Sequence, residues 1–226
     1  MALPTETITP RPVRFDLADV ALNGDLSLPS DAQGLVVFAH GSGSSRHSPR
    51  NRAVADALQH GRLGTLLLDL LTEREEIADA STAEFRFDIP LLADRLVGAI
   101  DWAQAHPRTS SLPVGLFGAS TGAAAALIAA ARRPAAVRAV VSRGGRPDLA
   151  HASLDTVAAP TLLIVGGRDD VVIELNKHAL TRLKEPKQLQ IVPGATHLFE
   201  EPGALDQVAR LAKEWFGRYC QDWRQQ

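Results

Sequence analysis

The sequence contains little cysteine and few aromatic residues. It has one cysteine, one methionine and one tyrosine among 226 residues, and aromatic side chains make up 5% of the chain. A single cysteine, Cys220, cannot form an internal disulfide, so the composition is typical of a protein in a reducing compartment. We therefore expect a cytoplasmic location.

The chain also lacks a large charge of either sign and any long apolar run. Its formal net charge of -2 gives no reason to expect nucleic acid or a membrane surface as the main partner. The N-terminal stretch has no continuous apolar segment of the signal-peptide kind, and no later stretch approaches the roughly 18 apolar residues of a membrane span. Because no linker or repeat is visible, we expect one domain over residues 1–226.

Short apolar runs alternate with longer helical patterns along the chain. An alternating stretch from Val20 to Leu28 predicts a half-exposed edge strand, and residues 71–87 form a polar segment that we expect to be a surface excursion. Buried strands are predicted at 35–39, 63–68, 114–117, 137–141, 162–165 and 189–192, and helices at about 50–60, 88–105, 121–132, 173–184 and 204–219. This order predicts successive βα units on a largely parallel sheet, an α/β fold.

A serine between two glycines stands where a predicted strand meets a predicted helix. The segment GLFGASTGAAAAL places Ser120 in the order strand, G-x-S-x-G, helix, which is typical of a nucleophile elbow. Small residues at a strand-to-helix junction are the alternative explanation. A serine hydroxyl is a weak nucleophile at neutral pH, so the catalytic interpretation requires a base and an acid that orients it.

Three histidines follow Ser120, and one of them has the position that a base needs. His178 lies within a helical pattern and His151 at a predicted helix start, where solvated histidines are common. His197 follows the last predicted strand, in the loop at the carboxyl edge of the sheet. We therefore predict that His197 is the base.

The acid is expected after the preceding strand, where two aspartates are adjacent. Asp169 and Asp170 both follow LLIVGGR, and either could instead cap the next helix. We favour Asp169 and leave Asp170 open, whereas Asp148 and Asp155 are better explained as caps or surface charges.

Backbone amides at two turns are the predicted oxyanion hole. Thr121 follows the serine at a helix N-terminus, and Ser42 lies in the glycine-rich loop after an earlier strand. A glycine-rich turn without chemistry is the alternative for that loop. Near these loops, Arg46 and Arg143 are candidate substrate-binding residues. For Arg143 and the nearby Arg146, a surface ion pair is the more ordinary expectation.

Other chemistries lack their motifs. Neither glycine-rich turn has the G-K-[ST] ending of a P-loop or the G-x-G-x-x-G of a dinucleotide site, and the histidines have no metal-ligand spacing. We therefore expect no cofactor and no metal.

Taken together, these segments resemble the α/β-hydrolase superfamily and, within it, its dienelactone-hydrolase-like branch. The resemblance covers nearly the whole chain, through AHGSGSSRHSPRN, GLFGASTGAAAAL, LLIVGGRDDVV and GATHLFEEPGAL. It implies a mostly parallel sheet of about seven or eight strands with helices on both faces and no large cap domain. Dienelactone hydrolases proper carry cysteine at the nucleophile position, which is serine here, so the resemblance implies acyl chemistry rather than a particular substrate.

The resemblance implies a serine hydrolase that cleaves a small-molecule ester, of carboxylesterase or lactonase type. Ser120 is the implied nucleophile, His197 the base and Asp169 the acid. A thioesterase or acyltransferase on the same residues remains open, as does a hydrolase fold that only binds a ligand. The expected partner is the small-molecule substrate, with the chain as monomer or homodimer.

Overall fold

The computed structural model describes residues 8–17 and 20–221, and its centre is one eight-stranded sheet. The strand order is β1-β2-β4-β3-β5-β6-β7-β8. The first strand pairs antiparallel with the second and the second antiparallel with the fourth, while all other neighbours are parallel. The strands are β1 (Arg11–Asp16), β2 (Ala21–Ser27), β3 (Gly34–Ala39), β4 (Leu63–Leu68), β5 (Val114–Ala119), β6 (Val137–Arg143), β7 (Thr161–Gly166) and β8 (Lys187–Val192).

Helices cover both faces of this sheet. The helices are α1 (Pro49–Gln59), α2 (Glu73–Thr82), α3 (Ile89–Ala105), α4 (Thr121–Arg132), α5 (Asp170–Arg182) and α6 (Ala204–Phe216), with a 3-10 segment at Pro147–Thr156 and a π-helical turn at Gly217–Gln221. Helices α1 and α6 pack on one face, and α3, α4 and α5 on the other. Among the described helices, none is both long and apolar enough to cross a bilayer.

The double cover explains the composition of the central strands. Every residue of β3, β4, β5 and β7 is buried, as expected for parallel strands with helices on both sides. Helix α4 packs closely on the sheet because eight of its twelve residues are alanine or glycine. The predicted α/β architecture, a mostly parallel sheet with helices on both faces, is confirmed, and residues 8–17 and 20–221 contain no large cap domain.

Four elements differ from the sequence prediction. Strand β1 was not predicted, and it pairs with β2, so β2, which we expected at the edge, lies inside the sheet. Gly24 of β2 lies directly against the ring of Phe15. Strand β8, predicted as a buried strand at 189–192, is instead the other edge of the sheet and is mostly half-exposed. Within the polar segment 71–87, which we expected to be a surface excursion and for which no helix was predicted, α2 forms a regular helix. Its first turn has a capping box between Thr72 and Glu75.

A buried ion pair anchors the start of α2. The guanidinium of Arg95, on α3, binds both carboxylate oxygens of Glu75 and also donates to the carbonyl of Leu70 at 2.6 Å. A polar helix with little apolar periodicity is thus held by a partner 20 residues away in sequence. An ion pair between distant residues leaves no signal in the hydrophobic pattern of the sequence, so the helix could not be predicted from that pattern.

The parallel strands bring five loops to one edge of the sheet. These loops follow the carboxyl ends of β3, β5, β6, β7 and β8, and they carry every residue that the sequence predicted for a reaction site. In open α/β sheets this edge is where ligands bind.

Candidate active site

Ser120 occupies a strained turn between β5 and α4. Its backbone has φ 50° and ψ -120°, a conformation that costs a residue with a Cβ on the order of 1–3 kcal/mol. The turn is held by its neighbours: the amide of Ser120 donates to the carbonyl of Arg143 at 3.2 Å, and its carbonyl accepts from Ala123 and Arg146 at 3.1 Å each. Strain held in this way is typical of functional sites.

The two glycines beside Ser120 are required by close packing. A Cβ at Gly118 would collide with the backbone of Ala123, and a Cβ at Gly122 would collide with the carbonyl oxygens of Ala39 and His40. The turn therefore lies directly against the end of β3. This contact explains the G-x-S-x-G spacing sterically.

The structure brings His197 and Asp169 together. Nδ1 of His197 lies 2.6 Å from Oδ2 of Asp169, although the two residues are 28 positions apart in sequence. A carboxylate only accepts hydrogen bonds, so Nδ1 carries the proton and donates it, and Nε2 is left with its lone pair. Asp169 makes no capping hydrogen bond to α5, whereas Asp170 is the exposed first residue of that helix.

Gly144 links the histidine loop to the serine turn. It follows Arg143, whose carbonyl binds the amide of Ser120, and a Cβ at Gly144 would lie 3.5 Å from Cε1 of His197. In the described part of the chain the Ser120 hydroxyl forms no hydrogen bond with His197. In ligand-free enzymes such catalytic hydrogen bonds are often long and tighten when the substrate binds.

The two predicted oxyanion donors also lie together. The amide of Ser42 donates to the hydroxyl oxygen of Thr121 at 3.1 Å, and the two side-chain hydroxyls are 2.9 Å apart. As the first residue of α4, Thr121 has an amide with no acceptor inside its helix. An oxyanion placed between the two amides would replace the Thr121 hydroxyl as the acceptor of the Ser42 amide.

His40 fixes the loop that carries Ser42, a role that the sequence analysis missed. Its Nε2 accepts from the amide of Leu70 at 3.0 Å, so Nδ1 carries the proton and donates to the carbonyl of Gly41 at 3.0 Å. In a trans peptide the N–H points away from the preceding C=O, so holding the Gly41 carbonyl also orients the Ser42 amide. Burial lowers the pKa of His40, which favours the neutral ring that this arrangement needs.

Arg46 is occupied by carboxylates of its own chain. Its guanidinium and its backbone amide both bind Asp69, and its Nε lies 3.8 Å from Asp25. These contacts tie the loop after β3 to β2 and to the end of β4. Arg46 therefore has a structural role that the sequence did not predict.

Arg143 differs from the expected surface ion pair. It is 8% exposed, and no carboxylate of the described residues pairs with it. The neighbouring Arg146 does form the expected pair, 2.8 Å from Asp148. The expectation was thus wrong for Arg143, because the carboxyl end of β6 lies under the surrounding loops.

A cavity of about 320 Å³ opens beside Ser42. The loop 40–45 forms one wall, and Leu71, Ala80 and Leu92 are among the apolar residues opposite. Glu76 on α2 also lines it, and burial together with the nearby charge of Asp69 raises the pKa of Glu76. The cavity is large enough for a small substrate, and Ser42, one of the two predicted oxyanion donors, lines it, whereas Ser120 and His197 are not among its lining residues.

Comparison with known proteins shows the family to which the chain belongs. The model of the dienelactone hydrolase family matches residues 71–223, which is more than half of the chain. The chain belongs to the dienelactone hydrolase family. The chain is therefore a member of a hydrolase family, as the sequence motifs predicted.

Solved structures extend the likeness over the whole chain. This family member is 58% identical to a dienelactone hydrolase from Anabaena variabilis, with a TM-score of 0.94 over 95% of this chain and 100% of that chain. Est1E from Butyrivibrio proteoclasticus is 16% identical with a TM-score of 0.76, covering 92% of this chain and 98% of that one, which is a likeness of fold alone.

Curated relatives from two strains of Mycobacterium tuberculosis are 60% identical to this family member over 197 residues. Each is named "Putative phosphoribosyl transferase". The match covers 87% of this chain and 44% of each relative. The chain thus spans less than half the length of these relatives, and their printed activity is that of the longer proteins.

Proposed function

We propose that the chain hydrolyses a small-molecule ester through an acyl-enzyme formed on Ser120. The observation that carries the proposal is the 2.6 Å contact between His197 and Asp169 at the sheet edge where the strained Ser120 turn lies. That contact gives the imidazole the tautomer a base needs, with its free lone pair on Nε2.

In the proposed reaction, Nε2 of His197 takes the proton of Ser120 as the serine oxygen attacks the ester carbonyl. The amides of Ser42 and Thr121 stabilise the resulting oxyanion, and the imidazolium then protonates the leaving alcohol. Water, activated by His197, releases the acid and regenerates the serine. Asp169 remains ionised and stabilises the imidazolium.

Within this proposal we favour a carboxylesterase or lactonase. A thioesterase or acyltransferase would use the same residues, and a fold that only binds ligands would leave them idle. A panel of esters, thioesters, lactones and amides separates the enzymes from one another. We also propose a cytoplasmic location, which the low cysteine content supports.

The decisive experiment removes the Ser120 hydroxyl. With Ser120→Ala, we expect ester turnover to fall on the order of 10⁴-fold or more, because no covalent intermediate can form. Steady-state hydrolysis of nitrophenyl esters and labelling by a fluorophosphonate probe measure the loss, with circular dichroism as a check of folding. Ser110→Ala, which removes an exposed serine, is the matched control. A variant with a tenth of wild-type turnover would exclude Ser120 as the nucleophile.

A further inference from the structure

Arg143 is a buried cation that has no counter-ion among the described residues. It ends β6 and is 8% exposed, and its Nη1 is buried with no hydrogen-bond partner in the described part of the chain. Side chains alternate along a strand, so Arg143 faces the same side as Val141, toward α1 and α6. Buried arginines are normally paired, which makes this one an exception that requires an explanation.

A second guanidinium increases the local positive charge. Arg50, near the start of α1, is close enough for its charge to act on Arg143. Burial and this neighbour lower the pKa of Arg143 to about 10, so the side chain remains protonated at neutral pH. Arg50 pairs with Glu200 at 3.1 Å, and this pairing leaves one positive charge of the two arginines uncompensated.

This charge lies next to the proposed reaction site. In the sheet register Arg143 stands opposite Ala119, the residue before Ser120, and its carbonyl binds the Ser120 amide. The carboxylate that pairs with Arg50 belongs to the loop of His197, three residues further along the chain. Arg143 is therefore adjacent to the segment of the proposed nucleophile, and its neighbour Arg50 is bound to the loop of the proposed base.

We propose that Arg143 binds an anionic oxygen group of the substrate, a carboxylate or a phosphate, beside the ester that Ser120 attacks. The inference rests on the proposed function and names its substrate class. An unpaired buried charge destabilises the free protein, and an anion that enters supplies both the missing charge and the missing hydrogen-bond acceptor. A guanidinium suits such a group because its N–H donors match two oxygens at once.

The first test compares two esters of similar size, one of which carries a negative charge that a methyl cap removes from the other. The mono-nitrophenyl ester of glutarate carries a carboxylate, and its methyl-capped analogue does not. We expect the wild type to favour the charged ester at least tenfold in kcat/KM, and Arg143→Gln to lose that preference. Arg143→Lys keeps the charge without the two-pronged geometry and should keep part of it. Arg133→Gln, which breaks an exposed pair with Asp101, is the control and should keep all of it.

The second test needs no turnover. Inorganic phosphate and glutarate should each raise the thermal midpoint of the wild type more than that of Arg143→Gln, and the larger of the two shifts identifies the preferred anion. Without added anions, Arg143→Gln should melt at a higher temperature than the wild type, because an uncompensated charge has been removed from the interior.

The outcomes separate the two proposals. If both esters are hydrolysed equally by the wild type in a Ser120-dependent way, the anion site is wrong and the hydrolase stands. If neither ester reacts and no probe labels the protein, the proposed hydrolase activity is wrong. In that case the shifts of the thermal midpoint alone test the anion site. Equal shifts in wild type and Arg143→Gln would overturn it.

Discussion

At the scale of single residues, two adjacent aspartates have different surroundings. The carboxylate of Asp169 contacts the His197 ring, and its side chain makes no cap to α5. Asp170 is exposed and begins that helix, where a negative charge interacts favourably with the helix dipole. Two identical side chains one position apart therefore have different roles: one binds the histidine and the other lies at the start of a helix.

This difference predicts unequal effects of two identical substitutions. Asp169→Asn should lower kcat on the order of 10⁴-fold, because the amide can donate to Nδ1 and favour the wrong tautomer of His197. Asp170→Asn should lower it less than about tenfold, since only a helix-terminal charge is lost. Steady-state kinetics on one ester compares them directly, and equal losses would contradict the assignment of Asp169.

At the scale of elements, the reaction site depends on how closely α4 approaches the sheet. Gly122 allows the first turn of α4 to touch the carbonyls at the end of β3. A Cβ placed on Gly41 would lie only 3.0 Å from the Cβ of Ser120, so these two residues are also closely packed. The serine turn and the oxyanion loop are therefore parts of one packed junction.

Gly122→Ala should separate that junction. The added methyl meets backbone oxygens that cannot rotate away, so we expect a loss of about 1–3 kcal/mol in the free energy of unfolding together with a lower kcat. Urea denaturation measures the first and ester hydrolysis the second. Gly217→Ala is the control, since its φ of -55° is helical and no backbone lies near its Cβ. Wild-type behaviour of Gly122→Ala would show that α4 has room to shift.

The elements that could be predicted from the sequence are those specified by the pattern of apolar residues within the element itself. Buried strands such as Leu63–Leu68 and the helix Thr121–Arg132 have apolar patterns that specify them without reference to the rest of the chain. Helix α2 needs Arg95 as its anchor, and β1 needs β2 as its partner, so both depend on contacts between distant residues.

The same distinction applies to the candidate site. Chain order was enough to predict Ser120, Asp169 and His197, because parallel strands bring their carboxyl ends to one edge. The burial of Arg143 and the double hydrogen bond of His40 depend on which loops cover each strand end. A local sequence pattern does not show which loops bury a given strand end.

At the scale of the whole molecule, one buried histidine should make stability depend on pH. Burial lowers the pKa of His40 below its ordinary value of 6.5, so the unfolded chain binds this proton more readily than the folded one. The contribution of His40 to stability is therefore complete above pH 6.5 and is lost progressively as the pH falls below that value.

We expect His40→Gln to weaken that decline, because the substitution removes the proton that the unfolded state gains. Urea denaturation of wild type and variant between pH 7.5 and 5 gives the two slopes, and the same measurement on His178→Gln controls for removal of an exposed histidine. Parallel slopes for wild type and His40→Gln would refute the assignment. The variant should also hydrolyse esters more slowly at pH 7.5, since the Gly41 carbonyl loses its donor.

The order of the strands leaves the sheet with two outer margins, β1 and β8. Pro12 interrupts the first with a residue that has no N–H, and Lys187, Gln188 and Gln190 line the second with polar side chains. Such margins are poor templates for cross-strand pairing between molecules. The most apolar strands lie between β1 and β8, so amyloid-like stacking of this sheet would first require these two edge strands to detach.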